Sequence, residues 1–93
     1  MNTRKVTLEE IRTRHFTTED VLTTFEDKFE REHNLKTAMS LTNADHEFIT
    51  LVVKLADGEL VEVASDLIDW EGDFVEVRGG FGIPLRAIVD VKV

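Results

Sequence analysis

The first third of the chain has the apolar spacing of helices. Thr7 followed by Glu10, and Thr17 followed by Asp20, match the capping-box spacing that begins a helix. Behind Thr17 the apolar residues recur every three to four positions, and charged residues cover the other positions. The pattern predicts a first helix after Thr7 and a more strongly patterned second helix that ends near Asn34. The apolar stripe of the second helix comprises Val21, Leu22, Phe25 and Phe29.

Beyond Asn34 the apolar spacing changes to two, which is typical of strands. Residues 48–55 place Ile49, Leu51, Val53 and Leu55 on one face and predict a strand with that face inward. Asp57-Gly58 follows as a predicted two-residue hairpin turn. Residues 60–65 should therefore pair back on this strand.

The rest of the chain predicts further short strands. Residues 73–78 form one, residues 79–82 a glycine-rich loop, and residues 83–93 a last extended segment that is interrupted near Pro84. A weaker strand is predicted over residues 37–42. Strands joined by short turns usually make an antiparallel meander.

These elements predict one α+β domain, with a helical region over 1–34 and an antiparallel β region over 35–93. We expect the N-terminal helix or helices to precede a strongly bent sheet that forms a small barrel of the Sm-like or SH3-like kind. The chain has 93 residues, of which 42% are hydrophobic and 32% charged, and this suits one small domain.

The composition excludes several kinds of chemistry. The chain has no cysteine, which rules out disulfides, thiolate metal sites and cysteine nucleophiles. It has no run of 18 apolar residues and no apolar stretch behind its basic start. We therefore expect a cytoplasmic protein without a membrane partner.

The charge is strongly acidic and unevenly distributed. Eleven Lys and Arg against nineteen Asp and Glu give a net charge of −8, which opposes sequence-independent binding of nucleic acid. Residues 1–33 carry six basic and eight acidic side chains, whereas residues 34–93 carry five and eleven. The segment between Lys54 and Arg78 contains no basic residue and eight acids: Asp57, Glu59, Glu62, Asp66, Asp69, Glu71, Asp73 and Glu76.

Three interpretations of these acids are open. They are the solvated outward residues of alternating strands, or a surface that meets a basic partner, mimicry of nucleic-acid phosphates included. The third interpretation is a weak divalent-cation site around Asp69, Glu71 and Asp73. The first is the plainest, and the third is the weakest because the spacing does not match an EF-hand loop.

Residues 55–79 resemble the Sm-like family. The positions that match its first motif are Leu55, Asp57, Gly58, Val61, Ile68 and Asp69. Arg78-Gly79 matches the Arg-Gly of the second motif, but Asp73 replaces the family's RNA-contacting asparagine. Val63 stands in place of a glycine, and Gly72 in place of an apolar residue. The resemblance implies a small barrel and a ring-forming, RNA-binding oligomer that would use Arg78.

Residues 83–91 also resemble the end of YolD-like proteins, which are small bacterial proteins with a comparable strand region. The N-terminal motifs of that family are absent. This second resemblance supports the predicted strand architecture and implies no activity.

Other candidate residues have structural interpretations beside the functional ones. Trp70 lies beside a predicted turn, where it would cap one end of the core or serve as an interface residue. Phe81 lies between glycines, and the sequence leaves open whether it is buried or presented to a partner. The three histidines are too scattered for a metal site, and we expect His33 to occupy a helix C-terminus.

The sequence therefore predicts a non-enzymatic interaction or regulatory protein without a cofactor or a metal. Its partner would be another protein or a second copy of the chain, which would make a homo-oligomer by pairing exposed strand edges. The alternative is the Sm-like RNA-binding oligomer. The candidate partner-binding residues are Glu59, Glu62, Trp70, Glu76, Arg78 and Phe81.

Overall fold

The computed structural model describes residues 3–93 and shows an α+β fold. A 3₁₀ turn at Leu85–Ala87 separates the last two strands. The helices of the described chain are α1 (Leu8–Ile11) and α2 (Phe25–Asp45). Its strands are β1 (Arg4–Val6), β2 (Ile49–Lys54), β3 (Leu60–Ser65), β4 (Ile68–Glu71), β5 (Phe74–Val77), β6 (Phe81–Pro84) and β7 (Ile88–Lys92).

The strands form two sheets instead of the single bent sheet and closed barrel that the sequence predicts. One sheet has the order β1-β3-β2-β7, and the other has the order β4-β5-β6. Neighbouring strands are antiparallel except that β1 runs parallel to β3, so the first sheet is mixed. The short β1 is absent from the sequence prediction because three residues carry too little periodicity.

A buried serine divides the two sheets. Ser65 ends β3, and its Oγ accepts hydrogen bonds from the backbone N–H groups of Leu67 and Arg78, both at 3.1 Å. The same hydroxyl donates to the carbonyl of Leu67 at 2.6 Å. These bonds satisfy the backbone at a corner of two residues, so β3 and β4 belong to different sheets even though they almost touch in sequence.

The hydrophobic core lies between the sheets and α2. The inward positions predicted for β2 are confirmed, since Ile49, Leu51, Val53 and Leu55 are all buried. They belong to one cluster with residues of both sheets, of α2 and with Ile11 of α1. The prediction of a helix start at Thr7 is also confirmed, because the Thr7 hydroxyl accepts from the Glu10 N–H at 3.1 Å.

The second helix differs from its prediction at both ends. It begins after Thr24, whose hydroxyl accepts from the Asp27 N–H, and not after Thr17. It continues through Asn34 and through the predicted strand at 37–42, and it ends at His46, which has φ 53°. The helical region therefore extends to residue 45. The buried positions of α2 are Arg31, Leu35, Ala38 and Thr42.

The first hairpin has a three-residue loop instead of the predicted two-residue turn. The Leu55 N–H donates to the Glu59 carbonyl, and Gly58 alone within the loop has positive φ, at 90°. The returning strand at 60–65 is confirmed. Within residues 3–93, no helix has the combined length and apolar character that crossing a membrane requires.

Candidate protein-binding surface

The outer face of the three-stranded sheet concentrates exposed acids. Along β4, Ile68 points inward and is buried, whereas Asp69 and Glu71 are exposed. On the neighbouring strand, Glu76 lies directly opposite Asp69, and Phe74 lies opposite Glu71. Because alternate residues of a strand share a face, these four side chains project from the same side of the sheet.

Phe74 is the apolar centre of this face and is 52% exposed. Its ring lies against Gly82 of β6, where an added Cβ would come within 3.3 Å of the Phe74 Cβ. Gly82 therefore leaves room for the ring to lie over the sheet. A shallow depression of about 220 Å³ opens here and is lined by Asp69, Glu71, Phe74, Glu76 and Gly82.

A second depression of about 320 Å³ also has Phe74 in its wall, together with Asp20, Asp73, Leu85 and Arg86. The backbone holds this region together, because the Leu85 N–H donates to the Asp73 carbonyl at 2.8 Å. The Arg86 guanidinium points back to the N-terminal segment and donates to the Thr17 carbonyl at 2.8 Å. Phe74 thus contributes to two depressions that both contain carboxylates.

We call the set Asp69, Glu71, Asp73, Phe74 and Glu76 the acidic face. Within residues 3–93, none of its four carboxylates takes part in an ion pair. Two of them, Asp69 and Glu76, are direct cross-strand neighbours, and like charges in that position repel. The face is therefore an uncompensated negative surface around an exposed aromatic ring.

The acids in and beside β3 of the four-stranded sheet are compensated. Glu59 lies 2.8 Å from Arg4 of β1 and 3.7 Å from Arg14. The hydrogen bond from Arg4 lowers the pKa of Glu59, and bonds to Glu59 and Glu10 raise the pKa of Arg4. Glu59 therefore joins the N-terminal segment to the start of β3 and is less available to a partner.

Glu62 and Asp66 are compensated in the same manner. Glu62 accepts from the Thr3 hydroxyl and from Lys92 Nζ, the latter at 3.2 Å, and both bonds lower its pKa. Asp66 accepts from Arg78 Nε at 2.9 Å, which lowers the pKa of Asp66 and raises that of Arg78. Of the candidate residues, Glu59, Glu62 and Arg78 thus serve contacts within the chain, and Glu76 alone lies on the acidic face.

The two candidate aromatic residues lie on the opposite side of the three-stranded sheet. Trp70 and Phe81 are half-buried and pack against the core cluster. Trp70 Nε1 donates to the Gly72 carbonyl at 2.8 Å, which ties the indole to the turn between β4 and β5. Both side chains therefore lie on the core side of the three-stranded sheet, whereas Phe74 lies on its solvent side.

The histidines do not form a site. In the part of the chain that the structure describes, no group of three His, Asp or Glu side chains could hold a metal ion. His33 lies inside α2, which corrects its predicted place at a helix C-terminus, and His46 occupies that position instead.

The sequence interpretation missed Phe74 and Gly82, although a signal was present. Phe74 precedes the alternating Val75 and Val77, so it falls out of phase with the inward residues of its strand. Cation binding is the chemistry that suits an exposed ring among carboxylates.

The chain matches no protein-family model, and comparisons with curated proteins and with solved structures gave no match.

Proposed function

We propose that the protein is a non-enzymatic interaction module whose acidic face binds a basic segment of another protein. The observation that carries the proposal is the contrast in ion pairing, since the four carboxylates of the acidic face form no ion pair within residues 3–93 whereas Glu59 and Glu62 do. A basic side chain from a partner would supply the missing charge. We retain the cytoplasm as the proposed location on the grounds of the sequence alone.

Phe74 gives the proposed site a preference for Arg side chains in addition to its preference for positive charge. An Arg or Lys side chain can lay its cationic head over an aromatic ring, and neighbouring carboxylates then bind its N–H groups. Arg suits such a site best because its planar guanidinium stacks and forms two parallel hydrogen bonds to a carboxylate. The depression lined by Asp69, Glu71, Phe74, Glu76 and Gly82 would accept one such basic side chain.

Titration with defined peptides tests this proposal. The probes are an Arg-rich peptide with interspersed apolar residues and an acidic peptide of equal length, each followed through Trp70 fluorescence or calorimetry. We expect the Arg-rich peptide to bind with an affinity that falls as salt is raised, because exposed charges are screened. The acidic peptide should not bind.

Two charge-matched variants make the test specific. Asp69→Lys with Glu76→Lys should weaken binding at least about ten-fold, which is an ordinary effect for the centre of an interface. Asp45→Lys with Glu47→Lys changes the exposed end of α2 by the same net charge and should leave most of the affinity intact. Equal weakening by both variants would show that net charge alone attracts the peptide, which would refute the acidic face as a site.

Phe74→Ala separates the aromatic contribution from the electrostatic one. The residue is half-exposed, so its replacement should leave the fold intact. We expect this change to weaken binding of the Arg-rich peptide more than binding of a Lys-rich peptide, because Arg stacks on the ring more effectively. Unchanged affinity for both peptides would remove Phe74 from the proposed site.

The Sm-like resemblance supports a different proposal, an RNA-binding oligomer. Its one retained basic residue, Arg78, is half-exposed but paired with Asp66. A single-stranded RNA probe in the same titration discriminates between the two proposals. RNA affinity that disappears with Arg78→Ala, together with a ring-sized particle, would favour the Sm-like alternative over the peptide-binding one.

A further inference from the structure

The larger of the two depressions beside Phe74 contains charges of both signs. Its volume is about 320 Å³, and it is lined by Asp20, Asp73, Phe74, Leu85 and Arg86. This volume reaches the lower end of the range that is typical of small-molecule sites. The neighbouring depression of the acidic face has about 220 Å³ and no basic side chain in its wall. The two depressions therefore differ in chemistry although they share one aromatic ring.

Arg86 supplies the positive charge of the larger depression. Its Nε donates to the Thr17 carbonyl at 2.8 Å, and its own carbonyl accepts from the Val21 N–H at 2.9 Å. These two bonds fix the backbone of Arg86 and the base of its guanidinium. Within residues 3–93, Arg86 is the one arginine that forms no ion pair. Its terminal N–H groups are therefore placed to bind an anion from outside the chain.

The two carboxylates of this depression are not equivalent. Asp20 makes two hydrogen bonds with Arg31, at 2.9 and 3.0 Å, and accepts a third from the Leu22 N–H. Its charge is therefore already neutralised. Asp73 is exposed, and in the part of the chain that the structure describes it forms no ion pair, not even with Arg86. One cation and one anion thus line the same depression without pairing with each other.

The rest of the wall is apolar. The Phe74 ring is exposed on one side, and Leu85 is half-buried. The Leu85 N–H donates to the Asp73 carbonyl at 2.8 Å, so the backbone holds the apolar residue and the anion near each other. The depression therefore combines an unpaired cation, an unpaired anion and an apolar surface.

We infer that this depression binds a free α-amino acid with an apolar or aromatic side chain. The carboxylate of the ligand binds the terminal N–H groups of Arg86, and its ammonium group binds Asp73. Its side chain lies against Phe74 and Leu85. Such a zwitterion pairs both charges of the depression, whereas a purely cationic or a purely anionic ligand pairs only one and is repelled by the other. The inference goes beyond peptide binding at the acidic face and does not depend on it.

The expected affinity is low because the depression is open to solvent. At the efficiency typical of small ligands, a molecule of about twelve non-hydrogen atoms binds with a Kd on the order of 1 mM. Titration of isotope-labelled protein with L-phenylalanine, followed through the amide chemical shifts, measures affinities in this range. We expect saturable shifts confined to the residues that line the depression. The inference would be overturned by shifts located elsewhere, or by no saturable shift at concentrations ten-fold above this Kd.

Two analogues of the ligand test its two charges separately. 2-Phenylethylamine lacks the carboxylate and 3-phenylpropionate lacks the amine, while both retain the aromatic ring. We expect each analogue to bind at least about ten-fold more weakly than L-phenylalanine, because each loses one charge-assisted hydrogen-bonded contact. If either analogue binds as tightly as L-phenylalanine, the depression does not recognise a zwitterion and the inference is wrong.

Asp73→Asn tests the site from the side of the protein without threatening the fold, because Asp73 is exposed. It should weaken binding of L-phenylalanine at least about ten-fold. It should not weaken binding of 3-phenylpropionate, which has no ammonium group. Asp45→Asn makes the same change at the exposed end of α2 and should alter neither affinity. If Asp73→Asn weakens both ligands equally, or weakens neither, Asp73 does not bind the ammonium group and the proposed site is refuted.

Discussion

The two sheets use their acids in different ways. In the four-stranded sheet, Glu59 and Glu62 accept hydrogen bonds from Arg4, Thr3 and Lys92. In the three-stranded sheet, the carboxylates around Phe74 accept none from side chains of residues 3–93. A segment that is uniformly acidic in sequence is therefore divided by the fold into a compensated half and an uncompensated half.

The comparison also shows which carboxylates the cations of the N-terminal segment bind. Arg4 and Arg14 both reach Glu59, so they hold the segment before α2 to the edge of the four-stranded sheet. Neither arginine pairs with an acid of the three-stranded sheet, and β1 pairs only with β3. The four carboxylates of the acidic face therefore keep their charge uncompensated by any ion pair within residues 3–93.

Removing Arg31, a buried cation that compensates Asp20, should have the largest effect on stability. Arg31 has a side chain only 3% exposed, and it makes two hydrogen bonds to Asp20, at 2.9 and 3.0 Å. It also donates to the Ile88 carbonyl of β7 at 3.1 Å, while its Nε has no partner. Arg31→Ala leaves Asp20 uncompensated and should lower the free energy of unfolding by about 3 kcal/mol.

Urea denaturation of Arg31→Ala beside Lys28→Ala measures this effect. Lys28 lies on the same helix but is exposed, so its replacement should change stability only slightly. A loss in Arg31→Ala no greater than that in Lys28→Ala would mean that the pair contributes nothing to folding.

Acid titration should distinguish the two halves next. Hydrogen bonds from Arg4 to Glu59 and from Thr3 and Lys92 to Glu62 lower the pKa of each carboxylate below the ordinary 4.5. The unfolded chain therefore takes up protons first as the pH falls below about 4.5, and the stability that these contacts contribute is progressively lost. Asp20 adds to this. Burial is the largest single effect and raises its pKa, but the hydrogen bonds from Arg31 and from the Leu22 N–H, together with the charges of Arg31 and Lys28, lower the pKa of Asp20 overall.

Thermal unfolding across this pH range provides the measurement. Glu59→Gln with Glu62→Gln should flatten the loss of stability in acid, since two of the responsible groups no longer titrate. Asp69→Asn with Glu76→Gln is the matched control from the acidic face and should leave the slope nearly unchanged. Similar slopes for both double variants would show that the two halves do not differ in their contacts.

Local sequence patterns predicted the strands better than the helix. The alternation of 48–55 identifies the inward positions because Ile49, Leu51, Val53 and Leu55 all face the core, although Val52 is buried as well. The buried stripe of α2 instead contains Arg31 and Thr42, which an apolar pattern cannot identify. Asp20 looked like part of a helix cap, but its carboxylate accepts from the Leu22 N–H and binds Arg31. Thr24 is the residue that caps the helix.

The sequence predicted the negative charge of the candidate site but not which residues form it. The sequence shows that residues 54–78 are acidic, but Arg4 and Glu59 are separated by 55 positions, and only the fold brings them together. The same holds for Glu62 and Lys92, which are 30 positions apart. Which acids remain uncompensated depends on these long-range contacts, so Glu59 and Glu62 could not be separated from Glu76 beforehand.

The smallest effect should come from relieving repulsion on the acidic face. Glu76→Gln removes one of two like charges that are direct cross-strand neighbours, so it should raise the free energy of unfolding by about 0.3 kcal/mol. Glu62→Gln should act in the opposite direction because it removes a compensated charge. Urea denaturation at low and at molar salt checks both, since screening should abolish the gain from Glu76→Gln. A loss of stability in Glu76→Gln would show that the carboxylate serves the fold. A gain would show that Glu76 is retained at a cost to folding, which is expected of a surface that binds a partner.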